Sequence, residues 1–271
     1  MGIKSKEQHH QEDLQRIADF RLLDDEFMTA VFDGRTKEIE LVLRIILEID
    51  DLSVLHVQTQ KEIKNLQGRS VRFDILATDS KRKFYDIEIQ RSDHGAGVKR
   101  ARFNSSLLDA NAIQPGEQHD QLPESYVIFI TENDVLGHGC PIYHIERVIQ
   151  ETGDPFGDQE HIVYVNGAYE DDASQIGRLM HDFRSTKAGE MYYGDLADRV
   201  RHFKETEEGR STMCRSIELM RDESRAEGLA EGNLQRAERT FLNMIERGYS
   251  KDEAQAVSEL TDAEVAKIWK E

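Results

Sequence analysis

The segment 71–90, VRFDILATDSKRKFYDIEIQ, constrains the fold more than any other part of the chain, because it predicts two β-strands joined by a short polar turn. One carboxylate, Asp74, interrupts the first strand, and Glu-Ile-Gln lies inside the second. Because the side chains of a strand alternate between its two faces, Glu88 and Gln90 point to the same side. The segment therefore predicts a hairpin that carries several polar groups on one face.

Pairing around a turn at 79–83 would bring Asp74 close to Glu88 at one edge of a small sheet. Two carboxylates and the amide oxygen of Gln90 are oxygen ligands suited to Mg²⁺ or Mn²⁺. The alternative is an ordinary strand with solvent-facing carboxylates, which the spacing alone favours. The apolar and β-branched neighbours favour the metal site, because an unpaired charge among them is costly. Asp86, on the same face, is expected to be a solvated edge residue.

Basic residues surround this acidic pair although the protein as a whole is acidic. The chain of 271 residues has a formal net charge of −18, yet residues 61–105 contain 11 Lys and Arg against 6 Asp and Glu. An enzyme that acts on phosphodiesters needs metal-binding carboxylates and cations that hold the nucleic-acid backbone. The charge pattern argues against indiscriminate nucleic-acid binding and fits a salt-sensitive nuclease with one basic face.

These motifs resemble the PD-(D/E)XK nuclease superfamily, specifically its transposase-like branch related to the recombination-promoting nucleases. That branch carries Glu-x-Gln where other members carry Glu-x-Lys. The resemblance covers about residues 20–220, including LLDDEFMTAVFDG upstream and KRARFNSSLLDANAIQPGEQHDQLPESYVIFI downstream. The chain departs from the superfamily pattern at Phe73, which stands where a proline is usual. The resemblance implies an α/β fold with a restriction-endonuclease-like core, meaning a mixed sheet flanked by helices, and a helical C-terminal extension.

The activity implied by the resemblance is Mg²⁺- or Mn²⁺-dependent cleavage of DNA, in recombination or in a mobile element. Asp74, Glu88 and the backbone carbonyl of Ile89 would bind the metal. Gln90 would position the attacking water, although its amide cannot supply charge. A catalytically silent nucleic-acid-binding or assembly module of the same fold is the alternative, and strand transfer in place of cutting also stays open.

The cation that a motif lysine would supply must come from elsewhere, and the candidates are Arg91, Lys99 and Arg102. We choose Arg102, which shares a helix face with Lys99 and offers bidentate phosphate contacts. Glu40, on the first predicted helix, could supply a third acid. The candidates for contacts with DNA are Arg91, Lys99, Arg100 and Arg102.

Three regions are predicted: an N-terminal tail at 1–19, a nuclease-like domain at 20–205 and a helical region at 206–271 that would pair with a second copy. Ser250 and Thr261, each followed by Glu at the third position, predict two capped helices near the end. No apolar run approaches the length of a membrane span, and Cys140 and Cys214 fit free thiols in a reducing cytosol. We therefore expect a cytoplasmic protein.

Overall fold

The computed structural model of the chain describes residues 6–63, 68, 70–113 and 116–269. The chain forms two compact units, Met1–Cys214 and Arg215–Glu271. The predicted boundary at 205/206 precedes this division by several residues. The predicted tail contains a helix, whose Ile17 is buried. No helix within the described ranges is long and apolar enough to cross a membrane.

The first unit is built on one mixed sheet of six strands, in the order β1-β2-β3-β4-β6-β5. The first three strands pair antiparallel, β3, β4 and β6 run parallel, and β5 pairs antiparallel with β6. The strands are β1 (Val54–Ile63), β2 (Val71–Asp79), β3 (Phe84–Gln90), β4 (Ser125–Thr131), β5 (Ile142–Ile145) and β6 (Glu160–Asn166). The mixed sheet confirms the predicted fold class.

Helices flank this sheet, and α3 packs against β1 while α4 packs against β4. The apolar stripe of α3 is buried, with Ile39, Val42 and Ile46 almost fully shielded from solvent. The helices are α1 (Lys6–Asp19), α2 (Asp25–Phe32), α3 (Thr36–Leu47), α4 (Val98–Ala112), α5 (Gln175–Arg184), α6 (Gly194–Glu205), α7 (Glu207–Glu246), α8 (Lys251–Ser258) and α9 (Asp262–Ile268).

The two edge strands of the sheet are defined by their pairing. β1 continues to Ile63, because its ladder with β2 extends as far as Val71. The short edge strand β5 was not predicted. Its four residues show no clear alternation of polar and apolar side chains, so the pairing with β6 defines it.

The second unit has a small apolar core formed by the C-terminal part of α7 with α8 and α9. Phe241, Ala254, Leu260 and Val265 are its buried residues. The predicted caps are confirmed, since Ser250 and Thr261 both form capping boxes with the glutamate three residues later.

Candidate active site

The hairpin of β2 and β3 places the two predicted carboxylates side by side. Ile75 pairs with Ile87 across the hairpin, so Asp74 and Glu88 lie next to each other on adjacent strands. The backbone N–H of Asp74 donates to Glu88 Oε1 over 3.4 Å, and that of Ile89 donates to Asp74 Oδ2 over 2.9 Å. The predicted proximity of Asp74 and Glu88 is confirmed.

Gln90 bridges these two acids through its side-chain amide. Its Nε2 lies 3.3 Å from Asp74 Oδ2 and 3.4 Å from Glu88 Oε2, at the long end of hydrogen-bond distances. The strand alternation that places Gln90 and Glu88 on one face is what allows this bridge. The amide nitrogen thus faces the carboxylates and Gln90 Oε1 faces Arg100, so the predicted role of the amide oxygen as a metal ligand stays a prediction.

Arg100, near the start of α4, is the cation that contacts this group. Its guanidinium donates to Glu88 Oε2, to Gln90 Oε1 at 3.1 Å and to the carbonyl of Gly95 at 2.8 Å. It also lies over the ring of Phe129, 5.8 Å from the ring centroid. Asp74, Glu88, Gln90 and Arg100 are called the carboxylate centre below.

Sequence reasoning gave Arg100 only a DNA-binding role and chose Arg102 as the cation of the site. Arg102 is exposed and lines the cleft in front of the centre, so its predicted role stays a prediction. Arg100 precedes the buried Asn104 by four residues and shares its helix face, but the burial of that face becomes known only from the packing of α4.

The expectation that Asp86 is a solvated edge residue is wrong. Its side chain is fully buried, because β3 is an inner strand between β2 and β4 and α4 packs against it. Asn104 Nδ2 donates to Asp86 Oδ2 at 3.0 Å, while Asp86 Oδ1 has no hydrogen-bond partner among the described atoms. Burial, and then the charge of Glu88, raise the pKa of Asp86 well above its usual value.

Burial also sets the protonation of the two acids in the centre. It raises the pKa of Asp74 to about 6, against a hydrogen bond from the Ile89 N–H that lowers it. It raises the pKa of Glu88 to about 7, with a further contribution from the charge of Asp74 and an opposing one from Arg100. Among the described residues, Arg100 is the cation that contacts these acids, and it pairs with Glu88, so an additional cation would be stabilised here.

A cleft of about 1120 Å³ opens in front of this centre. Asp74 lies in its wall together with an aromatic side chain, Phe103, which is 38 % exposed. The basic side chains that line the cleft are Arg72, His94, Lys99, Arg100 and Arg102. An acidic group at the edge of a cation-lined cleft matches the needs of a polyanionic substrate.

Two other predicted site residues have structural contacts elsewhere. Glu40 accepts a hydrogen bond from the Val54 N–H at 3.0 Å and pairs with Arg44 at 2.8 Å, so it joins α3 to the start of β1. Arg91 pairs with Asp24 at 2.6 Å and with Glu132 at 3.4 Å. The roles predicted for Glu40 in metal binding and Arg91 in DNA binding stay predictions.

Arg91 belongs to a second cluster of charges. Arg21 NH1 donates to Glu132 Oε1 at 2.7 Å, and the Arg21 N–H donates to Asp24 Oδ2 at 2.6 Å. Arg21, Asp24, Arg91 and Glu132 are called the ion-pair cluster below. This cluster joins the segment before α2 to the residues that follow β3 and β4.

Asp25, the first residue of α2, is an acid that sequence reasoning missed. Its charge is one of the causes that raise the pKa of Asp74. Gln60 Nε2 donates to Asp25 Oδ1 at 2.7 Å, which joins α2 to β1. No pattern in the hairpin pointed to Asp25, because the long-range packing of α2 brings it near Asp74.

The donor set of the centre fits a divalent cation in part. Asp74 and Glu88 are adjacent carboxylates in a buried setting, which suits Mg²⁺ or Mn²⁺. Within the described ranges, however, no group of three or more His, Cys, Asp or Glu side chains could hold a metal ion. Two protein carboxylates would therefore bind the cation together with backbone and water oxygens, as is common for Mg²⁺.

Comparison with known proteins bears on this geometry. A family model described as PD-(D/E)XK nuclease family transposase matches residues 15–168. This range contains β1 to β6 and all four residues of the carboxylate centre. The comparisons found no matching curated protein and no matching solved structure.

Proposed function

The chain belongs to the PD-(D/E)XK nuclease family of transposases, and on that premise we propose that it is a metal-dependent DNA endonuclease. The observation that carries this proposal is the pairing of Asp74 with Glu88 at the edge of a cation-lined cleft. Phosphodiester hydrolysis requires this combination of metal-binding acids and backbone-binding cations.

Asp74 and Glu88 would hold Mg²⁺ or Mn²⁺ with the backbone carbonyl of Ile89. The bound metal would polarise the scissile phosphate and lower the pKa of the attacking water. Asp74 is held in place by the Ile89 N–H, and Glu88 is held by Arg100, so both carboxylates are fixed before substrate arrives.

Gln90 and Arg100 would share the work of the lysine that this motif lacks. The Gln90 amide can donate and accept hydrogen bonds, so it can orient a water molecule beside the carboxylates. Arg100 supplies the positive charge that the amide cannot, and its contact with Gln90 couples the two side chains. In this proposal Arg100, in place of the predicted Arg102, supplies the positive charge of the missing lysine.

The exposed basic residues of the cleft would bind the DNA backbone. Lys99 and Arg102 line the cleft without belonging to the carboxylate centre. Phosphate contacts release counterions, so we expect DNA affinity to fall steeply as salt concentration rises. The overall charge of −18 lowers the DNA affinity itself, because the rest of the surface repels DNA.

A catalytically silent DNA-binding module is the second candidate, and one observation favours it. Arg100 already forms an ion pair with Glu88, which offsets part of the charge that a metal would meet. Both candidate functions include pairing of two copies through the C-terminal helices. Two paired active sites would cut both strands of a duplex, and an assembly module would need the contact between copies.

The test is incubation of purified protein with supercoiled plasmid at low salt, with Mg²⁺, Mn²⁺, Ca²⁺ or EDTA. We expect nicking or linearisation that requires Mg²⁺ or Mn²⁺ and is lost in Asp74→Ala and in Glu88→Ala. Metal-independent DNA binding without any cutting would support the silent module. Cutting that survives in both variants would show that the nuclease centre lies elsewhere.

A further inference from the structure

We propose that Gly95 is a positioning residue, whose missing side chain leaves the space that the Gln90 amide needs in order to bridge the carboxylate centre. The inference rests on the proposed function for its catalytic consequence, and on geometry alone for the position of Gln90. Gly95 lies in a turn of 3-10 helix, Asp93–Ala96, between the end of β3 and the start of α4.

The evidence is the space around Gly95. A Cβ placed on Gly95 would overlap Gln90 Oε1 and lie 3.1 Å from Gln90 Cδ. The same Cβ would be 3.6 Å from Arg100 NH1. Among these neighbours, a methyl group at this position would displace the amide of Gln90, whereas its distance from Arg100 is an ordinary van der Waals contact.

The backbone of the turn also contributes. The Gly95 carbonyl accepts a hydrogen bond from Arg100 NH1, the same nitrogen that donates to Gln90 Oε1. The missing side chain of Gly95 thus leaves space for the Gln90 amide, and the Gly95 carbonyl accepts a hydrogen bond from Arg100. Both contacts act on side chains that touch Glu88.

Backbone conformation does not explain this glycine. Gly95 is not among the glycines whose φ is positive, so an L-residue could adopt its conformation. A glycine costs conformational entropy that alanine would not. Close approach of the Gln90 amide is therefore the physical reason for a hydrogen in place of a methyl group here.

Gly97 offers a matched control two residues away. A Cβ on Gly97 would meet nothing within 4 Å, and its φ of −65° suits alanine. Gly97→Ala changes the same turn and the same glycine content without touching Gln90. Any effect that comes only from stiffening the turn should appear in both variants.

The substitution Gly95→Ala should leave the fold intact, because the overlapping atoms belong to the end of a flexible side chain. We expect the Gln90 amide to move out of its bridge between Asp74 and Glu88. A displacement of about 1 Å can reduce an enzyme's rate by about 100-fold. Gly95→Ala should therefore slow metal-dependent plasmid cleavage by about 10- to 100-fold with little change in Tm, while Gly97→Ala should cut like wild type.

The experiment compares wild type with Gly95→Ala, Gly97→Ala, Gln90→Ala and the Gly95→Ala/Gln90→Ala double variant. Cleavage rates are measured beside spectra of protein labelled with ¹⁵N-glutamine, in which the Gln90 side-chain signals are identified by their loss in Gln90→Ala. The account predicts that these signals shift in Gly95→Ala and stay in place in Gly97→Ala. It also predicts that Gly95→Ala causes no further loss of cleavage once Gln90 is absent.

Unmoved Gln90 signals in Gly95→Ala, or an equal shift in Gly97→Ala, would overturn the proposal. Additive losses of cleavage in the double variant would also overturn it, because Gly95 would then act independently of Gln90. If wild type cuts no DNA under any metal, the proposed function fails, and the amide signals still decide the role of Gly95.

Discussion

Gln90 of the carboxylate centre and Arg91 of the ion-pair cluster are adjacent in sequence, yet the two groups differ in their charge balance. In the ion-pair cluster, Arg21 and Arg91 match Asp24 and Glu132 one for one. In the carboxylate centre, Arg100 pairs with Glu88 and contacts Gln90, while Asp74 has no ion pair among the described residues and Asp86 is buried behind them. A charge-balanced cluster joins secondary-structure elements, whereas an excess of buried carboxylates favours the binding of a cation.

The protonation of the acids follows this difference. Burial tends to raise the pKa of Glu132, but the hydrogen bond and charge of Arg21, with that of Arg91, hold it below its usual value. Burial dominates at Asp74 and Glu88 and raises the pKa of both. Burial outweighs the ion pair of Glu88 with Arg100 and the hydrogen bond from the Ile89 N–H to Asp74. The charged forms of both acids are therefore unfavourable, and a divalent cation would stabilise them.

The largest expected effect separates the two arginines of α4. We expect Arg100→Ala to reduce the rate of metal-dependent plasmid cleavage by about 100-fold, because it removes the positive charge beside Glu88. Arg102→Ala should mainly weaken DNA binding and change the cleavage rate by about 10-fold or less at low salt, because it loses one phosphate contact. Single-turnover cleavage and DNA titrations of both variants measure this. A larger rate loss in Arg102→Ala would restore the original assignment from the sequence.

A smaller effect concerns stability and contrasts the two clusters directly. Arg91→Ala should lower the free energy of unfolding by about 1–2 kcal/mol, because it leaves the buried Asp24 with a missing partner. Glu88→Gln should not lower it, since the substitution removes a buried charge that is in excess. Urea unfolding of both variants, with Lys99→Ala as a surface control, measures the difference. A destabilised Glu88→Gln beside an unchanged Arg91→Ala would reverse the comparison.

The last effect is a pH dependence of stability. Acids whose pKa is higher in the folded than in the unfolded state bind protons more tightly when folded, so their contribution to stability declines as pH rises. For Asp74 and Glu88 the decline should run from about pH 4 to about pH 7. Asp74→Asn/Glu88→Gln should remove it. Urea unfolding at pH 5 and pH 7.5 checks this, and a wild type that gains stability relative to the variant over this interval would contradict it.

The hairpin could be predicted because its information is local. Asp74, Glu88 and the turn between them lie within one short segment, and strand alternation fixes their faces. The capped helices of the second unit were predictable for the same reason, since Ser250 and Thr261 act on residues three positions away. Local patterns thus located the two acids and the terminal helices.

The remainder depends on contacts between distant segments. Asp86 is buried because α4 and β4 cover it, and its partner Asn104 lies 18 residues away. The choice between Arg100 and Arg102 depends on how α4 is rotated against the sheet, which packing determines. Arg91 pairs with Asp24, 67 residues away, so its sequence context could not reveal this role.

The most direct test of the central claim is a calorimetric titration of the protein with Mn²⁺ at low salt and about pH 8, where Asp74 and Glu88 are ionised. The account predicts saturable binding to wild type and to Arg91→Ala, and loss of that binding in Glu88→Gln. Binding that is absent from wild type, or that persists unchanged in Glu88→Gln, would contradict a metal site at the carboxylate centre.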